Sequence, residues 1–567
     1  MVALLAAFLI RATGYPRFTR HDARVGAYVM DAVQNGNWII QKDSTGEIAS
    51  KPPLLTWGAA AVTLAVGGAS HFALHVPAAI SLCATALVLL AAGRKWWGWR
   101  VGFFAAFAYV VSPAGYSQLA TARYDGMLAL LAILAALAAF RAWIRGSGWT
   151  WFWLAAAVGT LAKGPLAVIL GAAGLLAVLW ERRSGSPLPL RGNHFAGLLV
   201  FLGITGGWLA LAYGQLGQPL IDKMIGRELV GHAVGQADGF SPWEALLPPL
   251  DFLATFAPWS LLSLVAFWRV WKRPDADAPL RRFERFLASA FIAGLILFCC
   301  AGHHRGRLIV PLIPFAALLT GRELADLTLP WSHRRIFRTA LVVIAIYLVG
   351  VSVHAHYLVR NSRTVKESLA ARQVSRMIIE RLGADAPVTY VDSPFAVQFF
   401  LGHVRPTVSI ERAAELLRGE DAAWVAVCDF AKLEAALGPN ESLVREVLRW
   451  PETGEPWIRV VGNHPWPSIH EPVVMLLGPL RIESQDLELA HPRVPYRGET
   501  ELSFRGNAAQ GSLKIENQGD TEQVLKVRVF DEASPKTAAE LESRLAPGAT
   551  WELPRIRSSR DLMTQAK

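Results

Sequence analysis

Charge is what this chain has least of. Only 18% of its 567 residues are Asp, Glu, Lys or Arg, against about 25% in a soluble domain. By contrast 53% are hydrophobic, and the mean hydropathy is +0.32. The remaining charges cluster between long apolar runs, the pattern of a chain that crosses a bilayer many times at about 20 apolar residues per crossing. A single soluble globule, a fibrous protein and a disordered chain are excluded. Cysteine is also scarce. Cys83, Cys299 and Cys300 lie in apolar runs and Cys428 in WVAVCDF, with no CxxC or ligand-like Cys/His spacing. Neither a disulfide framework nor a cysteine-rich zinc site is supported. The tail lacks nucleotide loops of the GxxxxGKS/T or GxGxxG type. The excess of 56 Lys and Arg over 45 Asp and Glu, net +11, does not point to nucleic acid, because many cations occupy short connectors as topology signals.

Apolar runs cover about 72–92, 101–119, 126–143, 149–162, 164–180, 195–213, 246–268, 286–301, 308–320 and 339–357. The opening MVALLAAFLI is half a span long and has no signal-peptide signature. It reads as the outer half of a first transmembrane helix whose start lies upstream. Basic connectors carry Arg94, Lys95 and Arg100; Arg141 and Arg145; Arg182, Arg183 and Arg191; the stretch Arg269 to Arg285; and the stretch Arg322 to Arg338. These alternate as cytoplasmic loops should. Residues 13–71, 120–125, the turn at Lys163, 214–245, 302–307 and the tail from about 360 then fall outside. A full span at 52–66 would invert this pattern, so that segment reads as an amphipathic or re-entrant helix at the outer interface. An even number of further crossings is the alternative.

The expected fold is a polytopic α-helical membrane protein of about 11 transmembrane helices, with interfacial helices in the first outer loop, in a core spanning 1–358. An extracytoplasmic α/β domain over 359–479 comes next, from the strands VTYVDS and WVAVCDF and helices near 365–382, 411–418 and 431–437. A β-sandwich-like domain over 480–567 completes the chain, from the alternating segments ETELSFRG, GSLKIENQG, VLKVRVFD and ATWELPRI.

Ionisable groups at the outer boundary need a reason. Asp22 and His21 stand in FTRHDARVGAYVMDAVQNGNW, where a helix cap or a surface histidine is the plain alternative. Asp125 opens the apolar helix of TARYDGMLAL, two residues after Arg123, where an aspartate also favours the helix dipole. Lys51 precedes PPLL and has the option of snorkelling. Lys163, in LAKGPLAVIL, is expensive unless it faces a polar cavity. His303, His304, Arg305 and Arg307 crowd a face that should not be basic, so a phosphate partner or anionic lipid headgroups are implied. An aspartate that orients a hydroxyl, with cations that stabilise a departing phosphate, describes group transfer from a phosphate carrier to an alcohol. No ATP or nucleotide sugar is at hand outside the membrane, so the donor is expected to be lipid-linked.

The segments HDARVGAYVMDAVQNGNW, KPPLLTW, TARYDGMLAL, LAKGPLAVIL, Pro258-Trp259 and GRLIVPLIPFAALL, in that order over about 15–320, resemble the C-type membrane glycosyltransferases, in the branch of aminoarabinose-to-lipid-A transferases and protein O-mannosyltransferases. The resemblance implies sugar transfer from a polyprenyl phosphate donor to a hydroxyl or phosphate of a cell-envelope acceptor, such as lipid A, polysaccharide or protein, at the outer face of a bacterial inner membrane. It implies that Asp22 and Asp125 are catalytic and that Arg24, Lys51, Lys163, Arg305 and Arg307 bind the donor phosphate. His21, Arg123, Tyr124, His303 and His304 are expected at the substrate. The family's first loop reads Asp-Glu-x-Arg-Tyr, whereas this one reads His21-Asp22-Ala23-Arg24-Val25, and Ser50 stands where an acid often precedes the KP stretch. Both departures weigh against a family-like metal site. A divalent metal is a candidate cofactor through Glu228 and His232 at helical spacing, two ligands short of a complete set. A lipid-linked substrate transporter or flippase and an inactive scaffold relative are the rival classes. No paired broken-helix repeat favours transport.

Overall fold

The computed structural model describes residues 2–14, 17–119, 121–181, 190–230, 243–300, 308–382, 387–391, 395–403, 405–438, 445–450, 458–463, 473–477, 480–485, 487–493, 499–506, 512–531 and 534–552. The chain forms two compact units, Met1–Glu441 with Leu448–Val460, and Ser442–Val447 with Val461–Lys567.

The first unit is dominated by helices: α1 (Val2–Thr13), α2 (Arg20–Asn35), α3 (Leu54–Val66), α4 (His71–Trp97), α5 (Trp99–Val110), α6 (Pro113–Gln118), α7 (Tyr124–Arg145) and α8 (Trp149–Lys163) lead into further apolar helices. Among the described residues five helices are long and apolar enough to cross a membrane: His71–Trp97, Tyr124–Arg145, Phe195–Leu216, Ala278–Cys300 and His333–Leu358. The expected single run at 246–268 is instead two helices, Glu244–Thr255 and Trp259–Lys272, meeting at 112°. The run at 101–119 also divides, because Ser112 ends one helix and caps the next: its hydroxyl accepts the Gly115 N–H at 3.2 Å. Helix α3 has 13 residues, about 20 Å at 1.5 Å each. That falls short of the roughly 30 Å hydrocarbon core, as suits a segment lying at the interface.

Small residues let these helices approach closely, since apolar surfaces gain little from association in lipid and packing must supply the attraction. Helix α7 buries Ala129, Ala132, Ala135, Ala136, Ala139 and Ala142 completely. A Cβ built on Gly102 of α5 would stand 2.3 Å from the Leu90 carbonyl oxygen of α4, and one on Gly321 would stand 2.7 Å from Val101 O. The core is therefore closed to larger side chains at these crossings.

The basic connectors do more than orient the chain. Glu181, fully buried, accepts from Arg285 Nη1 at 2.6 Å and lies 3.3 Å from Arg281 Nε and 3.7 Å from Arg282 Nε. Arg322 pairs with Glu284 and, at 3.6 Å, with Asp275, while Arg269 pairs with Glu323 and Asp326. These ion pairs tie together helix ends distant in sequence.

The first unit also contains helices Arg363–Leu382, Phe395–Leu401, Ile410–Arg418 and Phe430–Leu437 and strands β1 (Val388–Val391) and β2 (Trp424–Val427); their sheet is ordered β1-β2-β4-β3, and the division between the units runs through β3 (Arg445–Trp450) and β4 (Ile458–Gly462). Strands β1 and β2 run parallel, Val388 opposite Trp424, as a crossover helix between them requires. The second unit has two four-stranded sheets, β11-β10-β8-β7 and β12-β9-β6-β5. These strands are β5 (Val473–Leu477), β6 (Leu480–Gln485), β7 (Leu487–Arg493), β8 (Glu499–Gly506), β9 (Ser512–Asn517), β10 (Gln523–Asp531), β11 (Ser534–Leu545) and β12 (Thr550–Glu552). Their alternating apolar residues, among them Ile482, Phe504, Ile515 and Val527, form one core.

Replacing Glu181 with Gln leaves three arginines around a neutral amide. Breaking such a buried cluster costs about 3–5 kcal/mol. The expected result is a markedly lower melting temperature in detergent for Glu181→Gln, with a small change for Arg282→Gln, whose contact is the longest.

Candidate functional site

The site is built where the connector 13–71 meets the segment 120–125. Helix α2 starts at a capping box: the Thr19 hydroxyl accepts the Asp22 N–H at 3.2 Å, and Asp22 Oδ2 accepts the Thr19 N–H at 2.9 Å and its hydroxyl at 2.6 Å. The other oxygen, Oδ1, reaches across the fold and accepts the Ala122 N–H at 2.9 Å. His75 Nε2, from α4, lies 3.9 Å away. Asp22 is thus buried, 1% exposed, with both oxygens committed. Burial pushes its carboxyl upward, but His75 and the hydrogen bonds from Thr19 and Ala122 outweigh that and hold it below the usual carboxylate range.

Holding Ala122 in place also sets the start of α7. Arg123 is the N-cap of α7 in extended conformation, and Tyr124 and Asp125 form its first turn. The Tyr124 ring meets His21 edge to face at 6.0 Å, so both substrate-side expectations stand beside Asp22. Lys163, expected from the sequence to bind donor phosphate and with no acid near it along the chain, has one in space: its ammonium pairs with Asp125 Oδ1, joining the end of α8 to the start of α7. The pair is mostly buried, with side chains 16% and 11% exposed.

Arg24 is oriented by Asp43, with Nε 3.4 Å from Oδ2. The turn KDSTGE prepares this carboxylate, because Asp43 Oδ1 accepts Thr45 N–H at 3.0 Å, Thr45 Oγ1 at 2.5 Å and Glu47 N–H at 3.2 Å. Glu47 in turn binds Lys223 at 2.9 Å, and that bond holds its carboxyl below the ordinary range. Tyr28 is buried on α2; burial first, and then Asp43, Tyr124 and Glu47, push its hydroxyl far above its usual range, against the opposing pull of Arg24. The sequence pattern does not mark Asp43 or Tyr28 as site residues. The Asp-x-Thr-Gly turn is the local signal for Asp43, but its pairing with Arg24 is a tertiary event. Lys51 is half-buried just before Pro52 and Pro53, which lead into α3.

Helix Phe395–Leu401 packs on α2. A Cβ on Gly26 would stand 2.5 Å from the Phe399 ring, Gln34 Nε2 donates to Gly402 O at 2.6 Å, and Thr407 N–H donates to Ser44 O at 2.6 Å. His303, His304, Arg305, Arg307, His232 and the side chain of Glu228 lie outside the described residues. Among the described residues no group of three or more His, Cys, Asp or Glu has the closeness a metal needs.

Residues 50–208 match the family model described as dolichyl-phosphate-mannose-protein mannosyltransferase. ArnT from Cupriavidus metallidurans, in its crystal structure bound to undecaprenyl phosphate, superposes with a TM-score of 0.63 at 18% identity, covering 82% of this chain and 97% of that one. Its apo structure gives 0.60 at 18% identity, covering 82% and 96%. The chain has the fold of the C-type membrane glycosyltransferases. No curated protein sequence matches. In this glycosyltransferase fold the matched stretch holds Lys51, Arg123, Tyr124, Asp125 and Lys163, while His21, Asp22 and Arg24 precede it.

Two measurements test this construction. Removing either partner of Asp125–Lys163 leaves an uncompensated charge and costs about 3 kcal/mol. The double variant Asp125→Asn/Lys163→Met is expected to be more stable than the sum of the singles predicts, by at least about 1 kcal/mol in a double-mutant cycle. Asp22→Ala removes a cap worth about 1 kcal/mol and orphans the Ala122 N–H at about 1–3 kcal/mol. Amide exchange in 119–125 is expected to rise by at least tenfold. Because the folded pKa of Asp22 is depressed, its stabilisation is present above about pH 4, the unfolded value, and is lost as pH falls through the lower folded value. Protection of the Ala122 amide should therefore persist at pH 5.

Proposed function

We propose that the protein is an integral-membrane glycosyltransferase that moves a sugar from a polyprenyl phosphate donor to a hydroxyl or phosphate of a cell-envelope acceptor, at the outer face of a bacterial inner membrane. The observation that carries the reading is the convergence at one end of the helices: Asp22 anchors the segment that presents Arg123, Tyr124 and Asp125, and Asp125 meets Lys163. That these groups fall largely within the stretch matching a mannosyltransferase family model supports it further. So does the undecaprenyl phosphate bound to an ArnT of the same fold.

In this reading the acceptor oxygen attacks the anomeric carbon of the sugar, the bond from that carbon to the phosphate oxygen breaks, and polyprenyl phosphate leaves with the electron pair. The acceptor proton passes to a carboxylate. Asp125 is the better placed of the two aspartates, because its carboxylate stands in the first turn of α7 beside the Lys163 ammonium. Asp22 spends both oxygens on Thr19 and Ala122 and acts as a positioning residue. Arg24, aimed by Asp43, and Lys51 supply positive charge for the departing phosphate. Arg305 and Arg307 are assigned to the same phosphate from the sequence. The helix that packs on α2 narrows the approach from the side of the α/β segment, which suits a site that must exclude water from an activated sugar.

The test measures release of polyprenyl phosphate from a panel of polyprenyl phosphate sugars, with membrane extract supplying acceptors. Asp125→Asn is expected to lower release by at least 100-fold, the scale of general-base catalysis, at unchanged donor binding. Asp22→Asn is expected to lower release together with the loss of order in 119–125. Release by neither wild type nor variant with any donor, from folded protein, excludes the transferase. Flux of a lipid-linked substrate without covalent change would establish the transporter instead.

A further inference from the structure

A second polar feature lies behind Asp22 and is not used by the transfer chemistry. A cavity of about 250 Å³ opens among α1, the start of α4, α6, the end of helix His333–Leu358 and helix Arg363–Leu382. Arg11, Arg17 and Arg372 line it together with His71, His75 and His354, and no carboxylate is among its described lining residues. Arginine keeps its charge in any protein environment, so three permanent cations line one space. Two of the guanidinium groups stack on aromatic rings: that of Arg11 over Tyr116 at 4.4 Å and that of Arg372 over Phe400 at 5.2 Å. Tyr116 is itself fixed by a hydrogen bond between its hydroxyl and His354 Nδ1. The buried Nε2 atoms of His71 and His75 have no hydrogen-bond partner.

Arginine forks and imidazole nitrogens around one cavity are matched by the oxygens of a phosphate. The surroundings say what carries it. Phe8, Phe72 and Val359 line the same cavity. Leu5 and Leu9 of α1, 60% and 49% exposed, and Val349 and Tyr357 of the packed helix, 62% and 73% exposed, present apolar surface on the two helices that bound it. A free phosphate has no use for such a surface, whereas an acyl chain does.

We propose that this cavity is a binding site for the phosphate headgroup of an anionic lipid, separate from the Arg24 and Lys51 group. The lipid seats its phosphate among Arg11, Arg17 and Arg372 and lays its chains along α1 and helix His333–Leu358. The wall between the two sites is the His75–Asp22 contact of 3.9 Å, so occupancy also steadies the segment that Asp22 holds. Such a site does not depend on glycosyl transfer.

The test is native mass spectrometry of the full-length protein released from detergent, titrated with phosphatidylglycerol, phosphatidylcholine or inorganic phosphate. Wild type is expected to retain one phosphatidylglycerol at least tenfold more tightly than phosphatidylcholine, and Arg17→Gln/Arg372→Gln to lose that preference. Arg17→Lys/Arg372→Lys, which keeps the charge, should retain part of it and guards against a folding defect. Amide exchange in 119–125 should fall when phosphatidylglycerol is added to wild type and not to the Gln variant. Equal retention of both lipids, or a preference untouched by the Gln variant at unchanged melting temperature, overturns the site. Saturation by inorganic phosphate with no lipid retained overturns the lipid as its source.

Discussion

The Asp22 carboxylate is the joint on which the candidate site turns. One oxygen closes the first turn of α2 through Thr19, and the other captures the backbone of Ala122, a hundred residues away. Short-range capping and long-range docking are thereby made by one side chain, and neither oxygen is left to water. A carboxylate in that position stays ionised, because every neighbour it has donates a hydrogen bond or carries positive character. The geometry of Arg123, Tyr124 and Asp125 is inherited from that joint, since all three come directly after the captured amide.

Much of the remaining buried charge in the first unit is paired. Among the described residues, several charges buried in the helical core are neutralised by a partner distant in sequence, since an isolated charge in such surroundings costs several kcal/mol. Lys163 with Asp125, Glu181 with three arginines and Arg322 with Glu284 are all of this kind. The first stands with the candidate site, whereas the others tie together connectors whose basic residues the positive-inside pattern singles out. A topology signal and a structural clamp are thus the same side chains. The cavity that Arg17 and Arg372 share with three histidines is of another kind, having no acid among its described lining residues, and it suits an anionic partner from outside the chain.

Sequence pattern revealed elements whose signal is local. The sandwich strands alternate strictly and appear where expected, β8 at Glu499–Gly506 and β10 at Gln523–Asp531, and α2 announces itself by its capping box. Hydropathy located the apolar runs but not their bends: the break between Thr255 and Trp259 falls at Pro258, a helix breaker that a hydropathy pattern does not register. The residues around Asp22 and Asp125 were legible as isolated oddities, because ionisable groups next to apolar helices are rare. Their pairings were not. Lys163 finds its acid 38 positions away, and no spacing rule reaches that far without the fold.

The same distinction accounts for the first-loop acid that His21 replaces. An arginine facing phosphate must be aimed, and a carboxylate on the same helix turn is one way to aim it. Here the carboxylate comes from the turn at residues 42–47, where Asp43 is held rigid by Thr45 and Glu47 and meets Arg24 at 3.4 Å. The turn is pinned on its far side by Thr407 to Ser44 and by Glu47 to Lys223, so the aim of Arg24 depends on three segments distant in sequence. Such an arrangement keeps the arginine's direction while freeing the position before Asp22 for an imidazole that packs on Tyr124. A histidine there brings a hydrogen-bonding ring and no fixed negative charge, which in the proposed transfer lowers the repulsion a donor phosphate meets on the approach to Arg24.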